Sequence, residues 1–251
     1  AEAYILKLDP LGNFLWVKSF GTAVGRAIEL DAVGNIYVGG HSTETTDFDP
    51  GPGVSMYSAT IGSDAFVAKF DPLGNFLWVK NLSGDAPIGW FNSEYVSDLK
   101  IDANGDVVAC GTYFGTADFD PGPGVDMRTG AGFADGFVWR LNSNGDYLWS
   151  AQFGGTLTDA PASLVLDPSG NIYTTGTFYF TVDFDPGPGV FNLSANTDGK
   201  FTLKLSPDGS FNWVKKVGGS SIAMDENQNI YMCAPFSGTV DMDPSPSGVH
   251  N

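Results

Sequence analysis

Apolar and polar residues alternate in short runs along this chain, and the runs return in a fixed order. Phe66, Ala68 and Phe70 alternate with Val67 and Lys69. The same alternation recurs at Tyr4/Leu6/Leu8, Phe137/Trp139/Leu141 and Phe201/Leu203/Leu205. A period of two predicts half-buried β-strands. Sustained apolar periods of 3.6 residues over about twelve residues are missing from the sequence, so we expect essentially no helix.

Each of these strands belongs to a repeat with three further apolar runs, and we name the four strands A to D in repeat order. The runs just described are the C strands. The D strands begin at Phe14, Phe76, Tyr147 and Phe211, the A strands end at Leu30, Ile101, Leu166 and Met224, and the B strands begin at Ile36, Val107, Ile172 and Ile230. The order along the chain is therefore C-D, three times A-B-C-D, and A-B.

The A and B strands are joined by a turn with its own sequence signature. An Asp opens the turn and a Gly follows three residues later, as in Asp31 and Gly34. This spacing predicts a type I turn closed by a left-handed residue. Gln228 replaces the Gly in the fourth copy, so we expect a poorer turn there.

A string of eight residues, Asp-Phe-Asp-Pro-Gly-Pro-Gly-Val, stands between the B and C strands. It occupies residues 47–54, 118–125 and 183–190, and a weaker copy covers residues 241–249. Successive repeats lie about 60 to 70 residues apart, which leaves room for four strands and one long loop. We expect one domain over residues 1–251, with repeats at about 1–63, 64–134, 135–197 and 198–251.

Four-stranded sheets of this kind bury both faces only by stacking on one another, and radial stacking gives an all-β β-propeller of antiparallel blades. Every D strand carries a Trp that we assign to packing between blades: Trp16, Trp78, Trp149 and Trp213. The first C-D pair can complete the blade begun by the last A-B pair, which would close a four-bladed ring by strand exchange. A part of a larger ring, or two chains that complete one, is the alternative.

The composition fits a folded protein and narrows its partners. The chain of 251 residues is 42% hydrophobic and has a formal net charge of −17. This charge argues against nucleic acid and anionic membrane surfaces, and no apolar run is long enough for membrane insertion. Because the first residues already form a C strand, we expect a mature form or an excised piece. Cys110 and Cys233 hold equivalent B-strand positions and are predicted to be buried free thiols.

These motifs resemble a known family. The D-x-x-G-N hairpins followed by a Trp-bearing strand resemble the bacterial β-propeller repeats called SBBP over the whole chain. The Asp-Phe-Asp-Pro-Gly-Pro-Gly string is similar to strings in large secreted and cell-surface proteins of environmental bacteria. The resemblance implies a propeller in an extracellular or surface-attached protein, but no particular activity.

The acidic strings are the candidate metal sites. In an extended segment, residues i and i+2 point the same way, so each string presents two carboxylates together. Two carboxylates with nearby carbonyls suit Ca²⁺, and the hypothesis is one Ca²⁺ per string. The competing interpretation is that these Asp residues only cap turns. The candidate ligands are Asp47, Asp49, Asp118, Asp120, Asp183, Asp185, Asp241 and Asp243.

The repeated carboxylates argue against catalysis, because a general acid and base need different environments at one site. The sequence has only His41 and His250 as histidines and no G-x-S-x-G motif. We therefore predict a binding or scaffolding module of adhesion type, not an enzyme. A hydrolase or lyase acting on polysaccharide is one alternative, and a purely structural repeat region is the other.

The D-to-A connection before the second A strand carries an insertion with Trp90, Phe91 and Tyr95. In a propeller the B-to-C and D-to-A connections share one face, so we expect the acidic strings on that face as well. Exposed aromatic side chains there predict a glycan or protein ligand. The alternative is that the aromatic rings fold back over the adjacent blade.

Overall fold

A computed structural model of the chain describes residues 2–59, 62–84, 94–235 and 243. These residues contain strands, turns and bends and no helix. In chain order the strands are β1 (Ala3–Leu8), β2 (Phe14–Phe20), β3 (Ala23–Leu30), β4 (Ile36–Ser42), β5 (Thr45–Asp47), β6 (Met56–Ser58), β7 (Asp64–Phe70), β8 (Phe76–Leu82), β9 (Tyr95–Ile101), β10 (Val107–Tyr113), β11 (Thr116–Asp118), β12 (Met127–Thr129), β13 (Asp135–Leu141), β14 (Tyr147–Gly155), β15 (Ala160–Leu166), β16 (Ile172–Asp183), β17 (Asn192–Leu205), β18 (Phe211–Lys215), β19 (Ser221–Met224) and β20 (Ile230–Cys233). Within these ranges no helix is long and apolar enough to cross a membrane.

The predicted all-β class and the strand order A-B-C-D are confirmed. Three antiparallel units follow that order: unit 1 is β3-β4-β7-β8, unit 2 is β9-β10-β13-β14 and unit 3 is β15-β16-β17-β18. The N-terminal hairpin β1–β2 supplies a C-D pair and the C-terminal hairpin β19–β20 supplies an A-B pair. Among the described residues, each hairpin has strand pairing only within itself, and no closed ring is formed.

The A-to-B turns have the geometry that their sequences predict. Gly34 has a φ of +87°, and Asp31 Oδ1 accepts the backbone N–H groups of Val33 at 3.1 Å and Asn35 at 2.8 Å. In the fourth copy Gln228 takes the left-handed conformation with a φ of 66°. Its N–H still donates to the Asp225 carbonyl at 2.9 Å, so the turn keeps its form with a non-glycine residue in a disfavoured region.

Tryptophans of the D strands pack across the boundary to the next unit, as predicted. A Cβ placed on Gly145, in the C-to-D turn of unit 2, would lie 3.1 Å from the Trp78 ring of unit 1. Trp78 Nε1–H also donates to the Ser143 carbonyl at 3.3 Å. Trp149 makes the same kind of contact with Gly209 and donates to the Pro207 carbonyl at 3.2 Å. A side chain larger than glycine would push the neighbouring indole away.

A cation on three of the four C strands reaches the same turn of the following unit. Long basic side chains can lay their stems on apolar surface and keep the charged end at a polar group. Here that group is a turn carbonyl, which ties the units together across their boundary. The pairs are Lys7 Nζ with Pro72 O at 3.1 Å, Lys69 Nζ with Ser143 O at 2.9 Å, and Arg140 Nη1 with Pro207 O at 2.8 Å.

The insert between the B and C strands is more ordered than the predicted long loop. In units 1 and 2 the residues on either side of the acidic string pair as short hairpins, β5–β6 and β11–β12. In unit 3 the long strands β16 and β17 extend to form the same hairpin, with a break in register at Phe180, whose φ is 56°. Alternation was too short in these segments to signal strands from the sequence.

The thiol prediction is right for Cys110 and wrong for Cys233. Both cysteines are free, but Cys110 is buried and Cys233 is exposed. Cys110 lies in β10, which has β9 on one side and β13 on the other. Cys233 lies in β20, which pairs with β19 alone in the described part of the chain. The equivalent position is therefore uncovered because it lacks a neighbouring C strand.

Candidate functional site

In the three acidic strings that the structure describes, the first Asp joins the two sides of its own loop. Asp47 Oδ1 accepts the N–H of Asp49 at 3.1 Å and the N–H of Ser55 at 2.8 Å. Ser55 follows the string, so one carboxylate oxygen bridges the beginning and the end of the loop. In the second string Asp118 Oδ1 accepts the N–H groups of Asp120 at 3.0 Å and Asp126 at 2.8 Å. In the third string Asp183 Oδ1 accepts those of Asp185 at 3.1 Å and Phe191 at 2.8 Å.

The second Asp caps the Pro-Gly turn inside the string. Asp49 Oδ1 accepts the N–H of Gly51 at 2.7 Å. Asp49 Oδ2 lies 2.1 Å from the position that a Cβ of Gly53 would take. The second glycine is therefore required by the carboxylate that sits against it. Asp120 with Gly122 and Gly124, and Asp185 with Gly187 and Gly189, repeat this arrangement.

The central Phe is fully buried in the three complete strings, and in the first and third strings its ring packs between two units. Phe184 is fully buried, and its ring centroid lies 5.3 Å from that of Phe153 in unit 2 and 4.9 Å from that of Phe201 in unit 3. Phe48 contacts Phe20 of the N-terminal hairpin at 5.8 Å and Phe66 of unit 1 at 4.9 Å. The hydrophobic effect on these rings therefore draws the insert into the boundary between neighbouring sheets.

Backbone pairing fixes the insert against the D strand of the preceding unit. Gly154 and Gly155 at the end of β14 pair with Asp183 and Val182 of β16, which joins units 2 and 3 into one continuous sheet. An isolated bridge between Gly84 and Ala117 makes the equivalent link between units 1 and 2. The acidic strings thus belong to the boundary between units.

The inserts also extend along the outer strands and do not stay on the face where they begin. Asp126, just after the second string, accepts hydrogen bonds from Tyr147 Oη–H and, at 2.8 Å, from Ser150 Oγ–H. Tyr147 opens β14 at the C-to-D turn, which is the opposite end of the unit from the B-to-C connection.

The carboxylates of the strings therefore have structural partners, and calcium binding at them stays a prediction. Six of the eight candidate ligands lie in the three strings whose backbone bonds are described above. In the fourth string the structure describes Asp243 but not the residues on either side of it, and Asp241 lies outside the described residues. Across residues 2–59, 62–84, 94–235 and 243, no group of three or more His, Cys, Asp or Glu side chains is placed to hold a metal ion.

Of the three predicted ligand-binding aromatics, the structure describes Tyr95. Tyr95 is the first residue of β9 and is half-buried. The guanidinium of Arg26, from β3 of the preceding unit, lies 4.2 Å from the centroid of its ring, within the range of a cation–π contact. One face of the ring is therefore already covered. Trp90 and Phe91 lie outside the described residues.

The sequence did not indicate a cavity that opens among the A-to-B turns. Its volume is about 690 Å³, and turns from units 2 and 3 and from the C-terminal hairpin line it. Four acidic residues contribute to the lining, namely Asp102, Asp167, Asp225 and Glu226. Arg140 is the basic lining residue, and it is paired with Asp102 and, at 3.1 Å, with Asp106.

Buried carboxyl groups at the boundaries between units were also missed. Glu94, Asp135 and Asp159 are each at most 2% exposed. Burial raises the pKa of Glu94 to about 8 and that of Asp159 to about 7, and nearby Asp64 and Asp135 respectively add to the shift. Burial likewise raises the pKa of Asp135 to about 6. Asp64 and Asp135 are the first residues of equivalent C strands. This repeated acidic position was the sequence signal that could have indicated the buried carboxyl groups.

Comparisons with known proteins agree with this architecture. The family model for SBBP, a beta-propeller repeat, matches residues 148–177, which run from β14 into β16. An uncharacterized WD repeat-containing protein of Acanthamoeba polyphaga mimivirus is 24% identical over 311 residues, covering 98% of this chain and 22% of that protein. The chain thus spans about a fifth of the length of that curated relative. Its strand order and its sequence are together those of a β-propeller built from repeats.

Proposed function

We propose that this chain is a binding or scaffolding module of a secreted or surface-attached protein, and that it is not an enzyme. The observation that supports this is the common environment of the acidic strings. In all three described copies, the carboxylates cap their own loop and the central Phe is fully buried, and in the first and third copies its ring contacts two neighbouring units. The strongest sequence motif thus serves to hold sheets together, while a catalytic carboxylate pair needs two different environments.

Ligand binding is the functional part of this proposal, with a glycan or a protein as partner. The cavity of about 690 Å³ among the A-to-B turns has the size of a small-ligand site and combines apolar with charged lining residues. The B-to-C and D-to-A connections, where Tyr95 lies, form the second candidate surface. The extracellular location follows from the resemblance of the strings to those of large secreted proteins.

A glycan array run in parallel with chromogenic polysaccharide substrates tests the proposal. We expect binding without turnover, and cleavage of any substrate would favour the hydrolase or lyase alternative. Tyr95→Ala and Glu226→Gln then assign the ligand to one of the two surfaces, because each change alters only one of them. No binding and no turnover would favour a purely structural repeat region.

Calcium at the acidic strings is a separate proposal. Each string would supply the carboxylate oxygens not used in capping, and carbonyls and water would complete the roughly six to eight ligands that Ca²⁺ takes. The fourth string, with Ser245 and Ser247 in place of glycines, would bind least well. A melting temperature that is unchanged by excess chelator would eliminate this proposal.

We also propose that the terminal hairpins complete one another, giving a four-bladed ring. Tyr231 of β20 is 59% exposed, whereas the equivalent Tyr37 and Tyr173 are 0% and 6% exposed beneath the next strand. No atom lies within 4 Å of a Cβ placed on Gly12, where the other C-to-D turn glycines meet a tryptophan. Both hairpins thus lack the contacts that a neighbour provides elsewhere. A larger ring completed by other repeats is the alternative.

A further inference from the structure

Two acidic residues meet at the boundary between units 1 and 2. Asp64 opens β7 in unit 1, and Glu94 directly precedes β9 in unit 2. Ser63 connects them, because its carbonyl accepts the Glu94 N–H at 3.2 Å and its Oγ–H donates to the Glu94 carbonyl at 3.3 Å. The backbone bonds thus hold these carboxyl-bearing residues side by side, although thirty positions separate them in the sequence.

The Glu94 carboxyl group is buried, and the nearby backbone N–H groups of Glu94 and Phe114 do not form hydrogen bonds of normal geometry with it. Its exposure is 1%, and neither Oε1 nor Oε2 has a partner among the described residues. Leaving a buried carboxylate unpaired is costly unless a charge or a donor compensates it. A Cβ placed on Gly84 would lie 2.8 Å from Glu94 Oε1 and 2.5 Å from the Phe114 carbonyl oxygen, so two acceptors converge near the same point.

A hydroxyl oxygen also lies beside this pair. Tyr57 Oη–H, from the insert of unit 1, donates to Asp64 Oδ2 at 2.6 Å. Carboxylates, a carbonyl and a hydroxyl are the groups that hard divalent cations select. Burial raises the pKa of Glu94 to about 8, so a cation would replace the proton that this carboxyl group holds near neutral pH and would also offset the charge of the neighbouring Asp64.

We propose that Asp64 and Glu94 form a divalent-cation site of the calcium type between units 1 and 2. The site has two acidic ligands, so backbone carbonyls and water complete the coordination. The cation would link two sheets through side chains that belong to different units. This inference does not depend on the proposed function or on calcium at the acidic strings.

The boundary between units 2 and 3 offers a natural comparison. Asp159 takes the place of Glu94, and its N–H donates to the Ala134 carbonyl at 2.8 Å. Asp159 Oδ2 accepts the Gly155 N–H at 2.7 Å and Oδ1 accepts the Tyr179 N–H at 3.0 Å. Backbone donors therefore satisfy both oxygens of Asp159, although Asp135 Oδ1 has no hydrogen-bond partner among the described residues. Because the acid that precedes the A strand is unpaired at the first boundary and paired at the second, we place the site at the first boundary.

Calorimetric titration and thermal melting with Ca²⁺ test the site in the intact chain. We expect about one Ca²⁺ per chain, and a melting temperature higher by roughly 5 to 10 °C at a hundredfold excess over Kd. Glu94→Gln and Asp64→Asn should each abolish the heat of Ca²⁺ binding and the rise in melting temperature. Asp159→Asn is the matched control and should retain both. Glu94→Gln keeps the shape of the side chain, so it is expected to fold.

The outcomes separate this site from the acidic strings. Calcium at the strings would give a stoichiometry of three or four, and Asp49→Asn or Asp185→Asn would each lower that stoichiometry by one. Retention of the full shift in Glu94→Gln would overturn the inference. So would the absence of any Ca²⁺ effect on the wild-type chain, or an effect that disappears only in the string variants.

Discussion

The two glycines of the third acidic string differ in the space beside them. A Cβ at Gly189 would lie 2.1 Å from Asp185 Oδ2, whereas a Cβ at Gly187 would lie 3.1 Å from Asp185 Oδ1. Gly189→Ala therefore displaces a carboxylate that is held by its bond to the Gly187 N–H, and we expect a loss of about 1–2 kcal/mol in unfolding free energy. Gly187→Ala should stay within about 0.5 kcal/mol of wild type. Urea denaturation measures both, and equal losses would contradict the capping geometry.

Asp159 makes stability depend on pH. Burial raises its pKa to about 7 in the folded chain, above the unfolded value near 3.9, so the folded state holds a proton that the unfolded state has released. The contribution of Asp159 to the free energy of unfolding is fully present below about pH 4 and is lost as the pH rises through 7. We expect Asp159→Asn, which cannot ionise, to flatten the fall in unfolding free energy between pH 4 and pH 8. Denaturation across this range measures the slope, and an unchanged slope would refute the assignment.

At the scale of elements, the insert hairpin acts as a clamp through its central Phe. Phe184 is fully buried among Phe153, Phe178 and Phe201, so Phe184→Ala leaves a cavity at the boundary between units 2 and 3. We expect a loss of about 3–5 kcal/mol. Chemical denaturation measures this loss.

Phe191→Ala serves as the control for the clamp. Phe191 is 42% exposed and stacks on Phe211 with ring centroids 5.0 Å apart. Its truncation should cost about 1 kcal/mol, because aromatic pairs contribute about that much beyond burial. Equal losses of stability in the two variants would indicate that the exposed Phe191 holds the hairpin as firmly as the buried Phe184 does.

Elements determined by neighbouring residues could be predicted from the sequence, and contacts between distant repeats could not. The Asp31–Gly34 turn and the strand alternation are local, and both are confirmed. The turn-capping interpretation of Asp47 also depended on residues within one loop. In contrast, Glu94 and Asp64 meet only after two units have packed, and Cys233 is exposed because no third strand covers it. No periodicity encodes such pairings.

At the scale of the whole molecule, ring closure predicts one specific strand register. Ile36 pairs with Phe70 in unit 1 and Ile172 pairs with Leu205 in unit 3. By the same register Ile230 would face Leu8, and Cys233 would face Ile5. Residues opposite one another in an antiparallel pair have Cα atoms about 4.5–5.5 Å apart, which suits a disulfide. Ile5→Cys should therefore form an intrachain disulfide with Cys233 on mild oxidation.

Non-reducing electrophoresis and thiol counting check this closure. Cys110 is buried and should not compete. Leu6→Cys is the control, because its side chain points to the other face of β1 and should form no bond with Cys233. A covalent dimer would indicate that two chains complete the ring, and no bond in either form would favour a larger ring with further repeats.

The hydrogen bonds between the end of β14 and β16 make residues 95–215 a single continuous sheet. When force is applied at the two ends of the chain, units 2 and 3 should then resist unfolding together. In a single-molecule pulling trace they should yield together, in one long step, while unit 1 gives a shorter step of its own. Two equal short steps would show that the hydrogen bonds between β14 and β16 break before either unit unfolds. For a protein that tethers something under flow, these hydrogen bonds would determine how much strain the chain survives.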